Sequence, residues 1–443
     1  MIISFARPGA AIALAVGIAM SPPVLAQSTN DSAAILKEIK ALKEAYEKRT
    51  AELEKKIKAL QAKQTQQSAK VSAPASTGRN IKDNSFNPSI GLVLNGKAAG
   101  FSRRTAPEIA GFGIGEEGER GSEGLSIDET ELNFSANIDD KFYGSTTAAI
   151  VREDGEDKVE LEEAYLQTLP GSGLPDGFRI KAGRAFWTIG YLNEQHAHAD
   201  DFADRPLPYR VYLNKAYNDD GLEFSYVLPT DQYAEIGGGV FRGDDFPAGG
   251  SVSGMGGWSA YARTGGDIGD NQSWRVGAYT LRSDAVSRAT EEGELTFVGN
   301  SYLYAADLRY TLAPTGNAKN QEIILQGEYF RRLEDGTYNT VAYDDKTSGW
   351  YVQGVYKFAP ALRIGARYSR METADTPAGL AGTAVDAGEH SPETYSVMAD
   401  WTNSEYGRIR FQYNIEDLTD GVKDKQFYIQ YVMSLGAHGA HSY

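Results

Sequence analysis

The sequence predicts an all-β chain: a sixteen-stranded antiparallel transmembrane β-barrel with an N-terminal periplasmic helical (coiled-coil) segment. Three observations predict it. From about residue 88 onward the chain is a succession of short segments in which apolar and polar residues alternate. Tight connections and long loops follow one another between those segments. The first residues have the form of a secretory signal.

Residues 1–26 are read as the signal. Arg7 begins a short positive region, Ala10 to Met20 is apolar, Ser21-Pro22-Pro23 breaks it, and Val24-Leu25-Ala26 offers small residues to a peptidase. The apolar run is too short to span a bilayer as an anchor helix. Residues 27–63 follow as a helical segment. From Asp31 to Lys63 there is no Gly or Pro, and Ile35, Ile39, Leu42, Tyr46, Leu53 and Leu60 fall on a and d positions of one heptad frame. Arg49 and Lys56 interrupt that seam. A short coiled coil and a lone amphipathic helix both fit, and charge-rich flanking positions favour the coiled coil. Residues 64–87 are rich in Gln, Ser, Ala, Lys and Thr and read as a flexible linker.

Residues 88–443 are assigned to the barrel. Leu132, Phe134, Ala136 and Ile138 alternate with Glu131, Asn133, Ser135 and Asn137. Leu308, Tyr310 and Leu312 alternate with Asp307, Arg309 and Thr311; Leu362, Ile364, Ala366 and Tyr368 alternate with Arg363, Gly365, Arg367 and Ser369; Ile409, Phe411 and Tyr413 alternate with Arg410, Gln412 and Asn414. Alternation alone fits a soluble sheet equally well. The connections favour a membrane barrel: even-to-odd joints such as Asp139-Asp140-Lys141, Pro229 to Gln232 and Ala359-Pro360 are short. Odd-to-even joints are mostly long: Ala98 to Ile127, Thr188 to Asp220, Arg242 to Gly256, Ser283 to Asn300 and Met371 to Glu393. A barrel inserted from the periplasm keeps that parity.

Composition narrows the function. The chain has 443 residues and a net charge of −16. Its first 85 residues carry 13 basic and 7 acidic side chains, and the remainder carries 31 and 53. Such an acidic chain disfavours a nucleic-acid partner. The absence of Cys removes disulfides and thiolate metal sites. No Walker loop, HExxH or nucleophile elbow is present, so no catalytic residue and no cofactor are expected.

The third long loop holds the candidate site. A loop of this length is uncommon unless it packs somewhere, and one folded into a barrel narrows the lumen. Its charged residues Glu194, His196, His198, Asp200, Asp201, Asp204, Arg205 and Arg210 are expected at a constriction that sorts ions by radius and fixed charge. Arg263, Arg275, Arg309, Arg363, Arg367 and Arg410, with Glu131, Asp307, Glu328 and Asp400, fall on the polar phase of their strands and are expected on the pore wall. Cross-strand charge pairing explains the same pattern. His196 and His198 beside Asp200, Asp201 and Asp204 have the donor chemistry of a zinc site, a pore-lining polar loop being the other reading. His438 and His441 are read as a polar tail.

The segment Gly190-Tyr191-Leu192-Asn193-Glu194-Gln195-His196 through Asp204-Arg205-Pro206-Leu207, with the tail Tyr431 to His441, resembles Gram-negative porins, particularly the phosphate-selective porin family and its relatives. The resemblance implies a homotrimer in the outer membrane, met by lipid, lipopolysaccharide and the barrel-assembly machinery, with a periplasmic N-terminal segment. It implies passive diffusion of small hydrophilic solutes or ions. A metal-linked receptor or uptake channel and an envelope-tethering protein are the alternative functions.

Overall fold

The computed structural model describes residue 40 and residues 88–436, except 154–155, 251–253, 291–292, 294 and 405. The signal peptide, the linker, the helical segment other than the helical Lys40, and the tail with His438 and His441 lie outside the described residues.

Sixteen antiparallel strands form one closed sheet. They are β1 (Ser89–Phe101), β2 (Gly124–Ile127 with Thr130–Asn137), β3 (Phe142–Glu153), β4 (Glu156–Thr168), β5 (Phe178–Phe186), β6 (Asn218–Val227), β7 (Tyr233–Phe241) and β8 (Gly257–Asp267). They continue as β9 (Gln272–Ala289), β10 (Thr296–Leu312), β11 (Glu322–Tyr338), β12 (Val341–Ala359), β13 (Leu362–Glu372), β14 (Glu393–Ser404), β15 (Gly407–Thr419) and β16 (Val422–Gly436). The two pieces of β2 both pair with β1, with Ile127 opposite Gly96 and Glu131 opposite Val93. One extra residue on β2 at Asp128-Glu129 therefore makes a bulge in a single strand. Each strand pairs with its chain neighbour, and β1 closes on β16 from Gly91 opposite Gly436 to Phe101 opposite Gln426.

The faces are inverted relative to a soluble protein. Phe134, Leu308, Ile364 and Phe411 point outward and are exposed, whereas Glu131, Asp307, Arg367, Arg410, Gln412 and Asn414 point inward and are buried. An exposed outer ring of Leu, Ile, Val, Tyr, Phe and Trp matches hydrocarbon, and the polar phase occupies the lumen. Exposed aromatics sit at both ends of that ring. Phe142, Tyr233, Phe358 and Trp401 stand at the short-turn end, and Trp258 and Tyr395 at the long-loop end.

Connection parity holds for the largest loops: 102–123, 187–217, 242–256 and 373–392 are all odd-to-even. It fails where the joint is 154–155, 339–340 or 420–421. The expected loop from Ser283 to Asn300 is also corrected, because β9 runs on to Ala289 and β10 begins at Thr296. Polar contacts cross this hairpin: Arg282, paired with Asp284 on its own strand at 2.7 Å, donates across to Asn300 at 2.8 Å and to the Tyr302 hydroxyl at 3.2 Å. Its polarity signalled a loop, but the residues pair across the hairpin instead.

Leu308 lies four residues from the 313–321 turn, about 13 Å along the strand and well inside the apolar band. Leu308→Arg is expected to cost about 2–4 kcal/mol of folding into lipid vesicles. Reversible denaturant titration in vesicles checks this.

Candidate functional site

The third long loop, L3 (187–217), folds into the barrel. Its neck is clipped by Asn193, whose amide donates to the carbonyls of Trp187 (2.8 Å) and Tyr217 (2.9 Å) while its oxygen accepts from Tyr217 N–H (2.5 Å). Asn193 is fully buried, so all three contacts act without competing water. Glu328, projecting inward from β11, accepts from the backbone of Tyr191 (2.9 Å) and Leu192 (3.3 Å) and from the hydroxyls of Tyr209 (3.0 Å) and Tyr351 (2.6 Å). Gly190 is required at this crossing. Its φ is +75°, and a Cβ there would sit 2.4 Å from a Glu328 oxygen.

The loop ends in a short helix, α1 (Leu207–Leu213), every residue of which is buried. Pro206 and Pro208 preset its first turn, and Asn214 stops it in a left-handed conformation (φ 50°). The helix packs its aromatics on inward side chains of β11 and β12. The Tyr209 ring lies 5.3 Å from Phe330 and 6.4 Å from Tyr351. The first long loop also folds in: Gly118 donates to Asn214 Oδ1 (2.7 Å), and Arg210 Nε donates to the Gly118 carbonyl (2.8 Å).

Charged pairs then pin L3 to one wall. Asp201 meets Arg363 at 2.8 Å, Asp204 meets Arg367 at 2.7 Å, and Arg210 meets Glu416 at 2.7 Å. Arg408 and Arg410 donate to the carbonyls of His198 (2.6 Å) and Asp200 (2.7 Å). Asp200 is paired within the loop to Arg205 at 2.6 Å. Gln412 and Asn414 add hydrogen bonds to Asp204. Arg363 and Arg410 also share Asp400 on β14. Burial favours the neutral acid at Asp204, but Arg367 and Gln412 outweigh it and hold the carboxyl below its ordinary 3.8. At Asp200 burial prevails over Arg205 and pushes the carboxyl up to about 6.

The opposite wall is left facing the lumen. Glu194 is exposed and receives Arg263 through two contacts (2.7 and 2.8 Å) and Arg275 at 2.8 Å. Arg275 and Arg309 stand directly opposite one another on β9 and β10, and both lie over the Tyr191 ring with centroids at 4.9 Å. Directly opposed like charges are unfavourable unless screened. Tyr191, Glu194, Asp307 (3.6 Å from Arg275) and Glu235 (2.9 Å from Arg263) supply the screening.

The expected constriction set therefore divides. Glu194 meets the accessible side, whereas His198, Asp200, Arg205 and Arg210 are buried and anchor the loop. Asp201 and Asp204 are anchors too. The wall set divides likewise: Arg275 is the more exposed and Arg309 lies partly exposed against Tyr191, Arg263 is largely enclosed between Glu194 and Glu235, and Arg363, Arg367 and Arg410 hold L3. Asp200, Asp201 and Asp204, taken as possible co-ligands of the two histidines, are committed to arginines. The His196 and His198 rings do come together, 5.6 Å apart, but on Glu131, which was expected to line the pore. Burial opposes the His196 cation; the surrounding glutamates outweigh it and raise the ring well above its ordinary 6.5. Sequence reading missed Tyr191, Asn193, Glu235, Arg408, Gln412, Asn414 and Glu416 as site residues. Apart from Tyr191 and Asn193, strand phase marks them as inward, but it does not say which of them a loop meets.

No family model matches the chain. An uncharacterised protein of Aquifex aeolicus (strain VF5) is 26% identical over 397 residues, covering 81% of this chain and 80% of that one. Among solved structures, the anion-selective porin from Comamonas acidovorans superposes with a TM-score of 0.51 at 9% identity, covering 79% of this chain and 99% of its own. OprB of Pseudomonas putida superposes at 0.50 and 10% identity, covering 80% and 95%. The fold is that of the outer-membrane porins.

Removing Arg367 would leave the half-buried Asp204 carboxylate with only Gln412 and Asn414 as partners. Arg367→Ala is expected to weaken the pinned loop by about 1–3 kcal/mol, read as proteolytic cleavage within 187–217 in the intact barrel. Because Asp204 is depressed, its contribution is complete above its ordinary 3.8 and is lost as pH falls through its lower native value. Asp200 runs the opposite way, opposing the pinned state as pH rises through about 6. Loop protection measured against pH is thus expected to peak between those values and to fall in stronger acid.

Proposed function

We propose that the protein is an outer-membrane channel for passive diffusion of small hydrophilic solutes, with anions guided along the Arg263, Arg275 and Arg309 wall. The observation that carries this reading is the facing pair Arg275 and Arg309 beside the exposed Glu194. Opposed arginines facing Glu194, Glu235 and Asp307 set a strong local field where a loop narrows the lumen, and the arginine side of that field is what would draw anions. The buried pairs on the other wall supply rigidity and touch no solute. The chain then performs no chemistry and needs no cofactor for transport. The likeness to an anion-selective porin agrees with this reading, and phosphate is one anion it would admit.

A homotrimer completes the proposal. Across β2 to β5 the outer wall carries small residues, Ala136, Gly144, Thr146, Ala164 and Ala182, around a concavity of about 580 Å³. A second copy fits such a face better than disordered acyl chains do, since small residues admit close approach. Thr146→Trp is expected to dissociate the trimer, as checked by native mass measurement in detergent.

Reversal potentials in planar bilayers test the conduction path. One unit charge about 5 Å from an ion contributes about 0.8 kcal/mol in water, a roughly four-fold change in partition. Glu194→Gln is expected to raise anion partition and to lower cation partition each by about that factor, and Arg275→Glu with Arg309→Glu to reverse the preference. A phosphate-selective channel would show chloride current blocked by added phosphate. Folded protein that carries no current would contradict the whole reading.

A further inference from the structure

Where L3 crosses β2 and β4, two imidazoles meet several carboxylates. His198 Nδ1 lies 2.7 Å from Glu131 Oε1, and His196 Nδ1 lies 3.1 Å from Glu131 Oε2. Glu162 Oε2 stands 3.5 Å from the same His196 nitrogen. On the far side of that ring, Nε2 is 3.1 Å from Glu163 Oε2. One donor atom from each of Glu131, His196 and His198 lies within 4.8 Å of the others, and Glu129, Glu131 and Glu162 make a second such trio through the shared Glu131. His198 is 0% exposed and Glu131 1%.

We propose that Glu131, His196 and His198 form a divalent-metal site of the zinc class that fastens L3 to β2. Two imidazoles and a carboxylate are the donor chemistry that borderline cations select. Glu162 is placed to supply a fourth oxygen. The two nitrogens of His196 are divided as a ligating imidazole requires: Nδ1 faces the ligand cluster, and Nε2 is oriented by Glu163, the carboxylate–histidine pattern that fixes metal-bound rings. The Phe186 ring packs edge-on at 5.0 Å and walls the site on one side. Electrostatics point the same way, because Glu129, Glu131 and Glu162 crowd like charges together and a dication offsets them. The spacing is close to what a metal needs. Tetrahedral zinc with bonds of about 2.0–2.1 Å holds its donors roughly 3.3 Å apart; the contacts at 2.7 and 3.1 Å reach different Glu131 oxygens, and one donor from each residue lies within 4.8 Å of the others, so side-chain rotation closes the set around a cation. The metal would clamp the half of L3 that precedes the arginine pins, adding a fixed point beside Glu194.

Zinc binding to the full chain folded in detergent tests the site, with His438→Ala/His441→Ala as a control for the tail histidines. Metal analysis after buffer exchange is expected to find one zinc per chain in wild type and in the tail variant. Affinity is expected to fall more than ten-fold in His196→Ala/His198→Ala and roughly 10–100-fold in Glu163→Gln, which removes no ligand. Cobalt in place of zinc should give the absorption bands of a tetrahedral centre in wild type. Should the double-histidine variant fail to fold, the Glu163→Gln isotherm and the cobalt spectrum decide. Well under one equivalent of zinc in wild type, loss of binding only in the tail variant, or an isotherm that neither L3 substitution changes would overturn the proposal.

Discussion

Inside hydrocarbon, a backbone N–H or C=O has no water to turn to, and the pairing of β1 with β16 is what removes the last open edge. Everything else follows from that closure. A closed ring of alternating strands must send every second side chain outward, and outward is lipid. The polar phase is thereby driven into a lumen, where Glu131, Asp307, Asp400 and the inward arginines are gathered at a density that no soluble core tolerates unpaired.

L3 answers that crowding on one wall and creates function on the other. The loop brings Asp201, Asp204 and Arg210 to Arg363, Arg367 and Glu416, so that complementary charges satisfy each other. Its apolar helix fills the space over Phe330 and Tyr351, which would otherwise be aromatic surface facing water. What remains is the face with Arg263, Arg275 and Arg309, screened by Glu194, Glu235, Asp307 and the Tyr191 ring. The asymmetry between the two walls is what the proposed path for charged solutes rests on.

The strand phase was legible because the two-residue period is a local property: Leu308 against Asp307 and Phe411 against Arg410 announce their faces without any tertiary contact. Strand number and the inward fold of the richest loop were legible for similar reasons. Strand length beyond the bilayer was not, since the polar hairpin around Arg282 and Asn300 has the composition of a loop and is held by cross-strand partners. Nor was the division of the arginines. Arg309 and Arg367 occupy the same phase of their strands, and only the path of L3 decides that one lies against the Tyr191 ring while the other is paired with Asp204. The histidines show the same limit: their nearest acids in sequence, Glu194 and Asp200, are taken by arginines, while their acid in space, Glu131, lies on a distant strand.

The most direct test of an open side and a sealed side uses the absence of native cysteine. Arg309→Cys and Ser369→Cys place one thiol on each wall, the second at a position with 0% exposure under L3. Single-channel recording with a charged, water-soluble thiol reagent should show a step change in current for Arg309→Cys and none for Ser369→Cys. A current that responds at Ser369 and ignores Arg309 would place the passage elsewhere and contradict the account.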